Sequence, residues 1–194
     1  ISLPMITTLH GTDITLVGNH PFYKSAVTFS INKSDFVTSV SNSLREATYR
    51  LFDINKEIHV IPNFIEIEET ALENKSICQR YVLASTNEKI ITHISNFRKV
   101  KNIPDVVKVF FNIQKEIPSK LMMVGEGPEK IIAEKLCEDL GISDKVIFFG
   151  NSNDINQILK YSDLFLLPSE TESFGLAALE AMAFSVPVIS SNSG

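Results

Sequence analysis

The stretch KIITHISNFRKVKNIPDVVKVFFNIQKEIPSKLMMVGEGP, residues 89–128, decides the fold class. Its opening KIITHIS is rich in β-branched side chains and reads as a strand over 89–95. Residues 102–117 then change period. Ile103, Val106, Val107, Phe110, Phe111 and either Ile113 or Ile117 recur at the 3.6-residue spacing of a helix with one broad apolar face. KLMMVG, 120–125, is a short apolar strand stopped by glycine. A strand, a helix and a second apolar strand with little between them form a crossover unit, which belongs to a parallel sheet.

The same alternation continues downstream. A helix is expected over 128–141, with Pro128 in its first turn and Gly141 past its end. Strands follow over 145–150, 163–168 and 186–191, separated by helices over 153–162 and 174–184. Nearly every strand is apolar along its whole length, as a sheet covered on both faces requires, so residues 89–194 read as a doubly wound α/β domain. Residues 1–66 hold a shorter series of the same kind: strand 5–9, helix 21–32, strand 35–40, helix 42–52 and strand 57–61. Residues 67–88 are polar and less regular, and we expect a linker between two domains there.

Composition narrows the function classes. The 194 residues are 44% hydrophobic with a net charge of −5, enough for a real core and too acidic for non-specific nucleic-acid binding. No apolar run reaches a membrane span and these residues show no basic-then-apolar signal pattern, so stable membrane insertion is not expected. Cys78 and Cys137 stand alone without metal spacing, which reads as a reducing, cytoplasmic setting. The four histidines form no H-x-x-x-H pair and no D-x-D occurs, so neither a metal nor another cofactor is signalled. The chain opens on Ile1 inside an apparent strand, and we expect an internal piece of a longer protein. A homodimer is left open.

Open parallel sheets bind ligands at the carboxyl ends of their strands, and the polar and charged residues of this chain gather there. Gly125 and Gly127 suit a tight strand-to-helix turn. A dinucleotide fingerprint fails, because Lys130 holds the place of the third glycine and Lys145 that of the distant acid. Arg98, Lys99 and Lys101 are either a solvated basic turn or a clamp on phosphate. Glu172 and Glu180 are eight residues apart, about 12 Å along a helix, against the roughly 5 Å of a retaining glycosidase pair. That span suits an elongated ligand carrying hydroxyls at both ends, such as a nucleotide sugar. Amides of Phe174, Gly175 and Leu176 at a helix start would face its phosphates. Glu180 stands among Ala177, Ala178, Leu179, Ala181, Met182 and Ala183, on a helix apolar nearly all round, where a carboxylate needs a partner.

These residues carry a resemblance. SETESFGLAALEAMAFSVPVI, 169–189, resembles the paired-glutamate region of the retaining glycosyltransferases of family four. VGEGP, 124–128, resembles their V-G-x-G-P turn, and HGTD, 10–13, their H-G-x-D. ITTLHGTDITLVG, VTSVSNSLREAT, IPNFIE and HISNFRKVKNIPDVV resemble a narrower subgroup, which transfers N-acetylglucosamine from UDP-GlcNAc to L-malate in bacillithiol biosynthesis. The resemblance implies the GT-B fold, two facing Rossmann-like domains. The end of an acceptor-side domain would be 1–66, and most of a donor-nucleotide domain 89–194. It implies that Glu180 holds the donor ribose and Glu172 the sugar hydroxyls. Phe174, Gly175 and Leu176 would contact sugar and phosphate, with Gly125 and Gly127 also on the donor side. Arg98 and Lys101 would neutralise the leaving diphosphate without a metal ion, and His10 would sit beside the reacting sugar. Thr8, Asn42 and Asn63 would line the acceptor side. One departure is Asn96, which stands where the wider family has arginine, while Arg98 comes two residues later. Relatives of this kind are about twice as long and begin with a glycine-rich loop absent here, so this piece alone is expected to be nearly inactive. Rival readings are a related transferase with a lipid or glycan acceptor and a non-catalytic nucleotide-sugar binding module.

Overall fold

The computed structural model describes residues 3–18, 20–66, 80, 82–152 and 155–192. Two compact units are present. One comprises Ile1–Phe64 with Glu172–Gly175 and Gly194, the other Ile65–Thr171 with Leu176–Ser193.

In the first unit, strands β1 (Ile6–Leu9), β2 (Phe36–Ser39) and β3 (Ile58–Val60) pair in parallel in that order. Helix α1 (Thr12–Thr15) follows β1, α2 (Pro21–Lys33) leads to β2, and α3 (Asn42–Leu51) leads to β3. Pro21 opens α2, where its missing N–H costs nothing, and Ser41 caps α3 by accepting from Leu44 N at 3.1 Å. Leu9, Ile14, Ile31, Val37, Val40, Leu44, Phe52 and Ile58 form the core, with Phe174 packed against it. The single turn α1 was not expected from the sequence; four residues are too few to show a period.

The second unit carries five parallel strands: β4 (Lys89–Ile94), β5 (Ser119–Val124), β6 (Val146–Gly150), β7 (Leu164–Leu167) and β8 (Val188–Ser190). Their spatial order is β6-β5-β4-β7-β8. The connecting helices are α4 (Ile103–Glu116), α5 (Lys130–Asp139), α6 (Ile155–Tyr161) and α7 (Leu176–Ala183). The expected α/β alternation is therefore present. Ile103, Val106, Val107 and Phe110 of α4 are wholly buried against Ile91, Leu121 and Met123 of the sheet. Each such side chain contributes about 1.5–3 kcal/mol. The opposite face packs Ile90, Ile94, Met122, Val124, Phe165 and Leu167 against Leu159, Ala181 and Val186.

Several boundaries differ from the sequence reading. Helix α5 starts at Lys130, because Pro128 and Glu129 belong to the preceding turn. Helix α7 starts at Leu176, because Gly175 holds φ 82 and leaves helical backbone. Nor is α7 enclosed all round, since Leu176 and Met182 are exposed while Ala181 is buried. Positions 153–154 of the expected helix 153–162, and 67–79 and 81 of the expected linker, lie outside the described residues. The described end of that stretch is tied to the second unit. Ala84 is buried in its core, and Arg80 donates to the Asp163 carboxylate at 2.9 Å and to Glu88 O at 3.0 Å. No helix among the described residues is long and apolar enough to cross a membrane.

Candidate active site

Strand order places a switch point in the second unit. From β4 the chain winds outward through β5 and β6, then returns to the other flank of β4 as β7 and β8. Loops leaving the carboxyl ends of β4 and β7 therefore diverge to opposite faces and leave a crevice between them. The pairing shows the split. β4 matches β5 over six positions, from Lys89↔Ser119 to Ile94↔Val124, but matches β7 only at Ile91↔Leu164 and Thr92↔Phe165.

The loop after β4 carries the cations. Residues Lys99–Lys101 form a 3-10 turn that begins at Arg98 and ends at Asn102, whose φ of 50 is left-handed. Asparagine tolerates that conformation, and its side chain also ties the crevice together, Nδ2 donating to Pro168 O at 2.9 Å. Glu170 N donates to Val100 O at 2.8 Å, a second bond between the loops after β4 and β7. Arg98 is exposed and its guanidinium has no hydrogen bond or ion pair among the described residues; Lys101 is half-buried.

Gly125 and Gly127 shape the adjacent turn. Gly125 has φ 128, and a Cβ there would lie 1.8 Å from Ser95 O; at Gly127, with φ 156, it would lie 2.5 Å from Phe97 O. The two glycines thus let the loops after β4 and β5 touch backbone to backbone. Phe97 N donates to Glu126 O at 2.9 Å and Glu129 N to Phe97 O at 2.9 Å. Loop packing alone therefore requires glycine at both positions. Lys130 pairs with Glu126 at 2.7 Å.

Glu180 lies on α7, the helix that follows the loop after β7. It is half-buried, has no hydrogen bond or ion pair among the described residues, and desolvation raises its carboxyl pKa above the ordinary value. Leu176 is the first residue of the same helix. Glu172, Phe174 and Gly175, expected with the donor-nucleotide part, are grouped with the first unit. Among the described residues no cluster of three or more His, Cys, Asp or Glu side chains is arranged to hold a metal ion.

In the first unit the polar residues again follow strand ends. Thr8 and Thr38 are register partners on β1 and β2, and Thr38 Oγ1 donates to Thr8 Oγ1 at 2.9 Å. His10 is exposed after β1. Its N–H donates to Asp13 Oδ1 at 3.2 Å, and Gly11 N donates to the same oxygen at 2.6 Å. Asp13 thereby closes the H-G-x-D turn through the backbone amides of His10 and Gly11. Asn42 is exposed at the start of α3, and Asn63 is half-buried beyond β3. Sequence reasoning had given no role to Asp13, Asn102 or His93. The one local signal for Asn102 is its place just before Ile103-Pro104, where a helix begins and asparagine tolerates left-handed backbone. His93 has none, being one residue inside a strand.

Comparison with known proteins adds relatives to this geometry. The family model described as "Glycosyl transferases group 1" matches residues 79–194, and that described as "Glycosyltransferase Family 4" matches 2–69. N-acetyl-alpha-D-glucosaminyl L-malate synthase of Bacillus anthracis is 44% identical over 192 residues, covering 99% of this chain and 50% of that protein. An uncharacterized glycosyltransferase of Methanocaldococcus jannaschii is 29% identical over 204 residues, covering 99% and 52%. The chain spans about half the length of these curated relatives. Among solved structures, Anabaena HepE in complex with UDP and glucose superposes with a TM-score of 0.82 at 20% identity, over 98% of this chain and 53% of that one. WaaG, from lipopolysaccharide biosynthesis, gives 0.77 at 16% identity, over 97% and 57%. These two likenesses establish the fold, a GT-B arrangement of parallel sheets and alternating helices.

Proposed function

This chain belongs to the group 1 glycosyl transferases, and from that premise we propose that the protein is a retaining transferase that moves N-acetylglucosamine from UDP-GlcNAc to L-malate. The observation that carries the donor half is Glu180. Among the described residues this half-buried carboxylate has no hydrogen-bond partner, which is costly, and the ribose hydroxyls of a nucleotide supply the missing donors. Its position after the β7 loop of a switch-point crevice is where such a nucleotide lies. Support for the acceptor comes from the Bacillus anthracis relative, which is named for L-malate.

In this reading Arg98 and Lys101 face the diphosphate, and the start of α7 adds its N–H groups. Breaking the bond between the sugar C1 and the phosphate oxygen sends the electron pair to that oxygen. Cations aimed there stabilise the transition state more than the ground state. The malate hydroxyl oxygen bonds to C1 on the face the diphosphate leaves, and its proton passes to the departing phosphate oxygen. No protein base and no metal ion enters the sequence. Glu172 would bind sugar hydroxyls, His10 would sit at the reacting sugar, and Thr8, Asn42 and Asn63 would line the malate side.

The test is UDP release from UDP-GlcNAc by the full-length protein, with and without L-malate. Malate-dependent release is expected. Donor binding without such release would replace the acceptor or make the protein a binding module, and failure to bind UDP would remove the donor site as well.

A further inference from the structure

Where β4 and β7 part, a side chain takes over from the ladder. The last register pair is Thr92↔Phe165, and the next residue of β4, His93, is wholly buried. Its Nδ1 lies 2.8 Å from Leu166 O on β7, and its Nε2 lies 2.8 Å from Ser95 Oγ at the end of β4. The Phe97 ring stands beside it, 6.2 Å between centroids. A carbonyl oxygen only accepts, so Nδ1 must carry the hydrogen. In the neutral ring Nε2 is then an acceptor, and the Ser95 hydroxyl donates to it. The chemistry of the partners thus fixes the tautomer. It is the less common one, held here by the Leu166 carbonyl.

We propose, resting on the donor-binding reading above, that His93 is a positioning residue: an imidazole strut between β4 and β7 that sets the width of the donor crevice. A sheet splitting at a switch point loses the hydrogen bonds that held its strands at ladder spacing, and buried carbonyls past the split need new donors. The imidazole satisfies Leu166 O at a longer reach than a backbone N–H. It therefore holds the strands apart while keeping them joined. The roots of both loops are fixed as a result. Ser95 leads by three residues to Arg98, and Leu166 leads to Pro168, which Asn102 grips from the other side. The His93 and Asn102 bridges bracket the base of the cation loop.

Three substitutions separate the strut from a merely structural buried residue, each in the full-length protein. In His93→Asn the amide nitrogen falls near the place of Nδ1 and keeps the Leu166 bond. His93→Gln reaches the place of Nε2 and keeps only Ser95. His93→Phe keeps the volume and neither bond. UDP affinity measured by calorimetry is expected to stay within about threefold for Asn and to fall about tenfold or more for Gln and Phe, the cost of one buried polar group left unpaired. Equal loss in all three, or no loss in any, would overturn the proposal. Nitrogen NMR of the unsubstituted protein without nucleotide is independent of function: an Nδ1–H ring is expected, and an Nε2–H ring would overturn the bridge. If the unsubstituted protein binds no UDP, the donor reading falls and the positioning role with it. The NMR spectrum still decides whether the strut exists.

Discussion

Replacing Gly125 with alanine tests the idea that the crevice floor is built by backbone contact. The added Cβ would stand 1.8 Å from Ser95 O, whereas side-chain carbons essentially never approach closer than 3.0 Å. Relief requires β4 and the turn after β5 to separate by more than an ångström. The bonds in the way are Ser95 N to Val124 O at 3.1 Å and Gly125 N to Gly150 O at 2.8 Å. Losing both costs about 2 kcal/mol. Holding an alanine at φ 128 adds about 1–3 kcal/mol. The expected destabilisation is therefore about 3–5 kcal/mol, read from urea unfolding of the full-length protein, with loss of UDP binding. Gly141→Ala is the internal control. Gly141 also has a positive φ, 67, but a Cβ there meets nothing within 4 Å. Only the backbone penalty of about 1–2 kcal/mol applies. If Gly125→Ala costs no more than Gly141→Ala, contact between the β4 and β5 loops is not what the glycine secures, and the account of the crevice floor is wrong.

Glu180→Gln should weaken UDP binding by about 10- to 100-fold, the worth of hydrogen bonds to a charged group. The same change should remove a pH dependence: desolvation raises the folded pKa above the ordinary 4.5, so this group's contribution to stability falls as pH rises from 4.5 through the raised value. Urea midpoints between pH 4 and 7 should show that fall in the parent and not in the variant; parallel curves would contradict it. Lys101→Ala should lower turnover about tenfold or more with the circular dichroism spectrum unchanged, and near-normal turnover would end its role as diphosphate clamp. Cys137 is buried and its thiol is pushed up to about 11, chiefly by desolvation. Alkylation at pH 8, mapped by peptide mass, should therefore modify it only after unfolding; rapid native labelling would contradict that burial.

Much of the fold was legible because its signals are local. β4 is rich in β-branched residues, β5 to β7 are mostly apolar and α4 keeps a 3.6 period, so the alternation that defines the second unit is readable from neighbouring residues alone. Ends were less legible. The sequence puts Pro128 in a helix that starts only at Lys130, because proline suits a helix's first turn and the turn preceding it equally well. The start of α7 was placed too early for a related reason, since nothing adjacent in sequence announces that Gly175 takes a positive φ.

Residue types and periods by themselves determined the class of sheet, the edge where polar loops gather, and the carboxylate that an apolar helix could not leave unexplained. Where β4 and β7 stop pairing, and what replaces the ladder there, follow from packing in three dimensions. His93 and Leu166 are 73 positions apart, and so are Ile90 and Asp163 at the other end of the same seam. No local pattern encodes which buried carbonyl a side chain will meet across such a distance. That partner is fixed by the order in which strands enter the sheet, and strand order is a property of the folded chain.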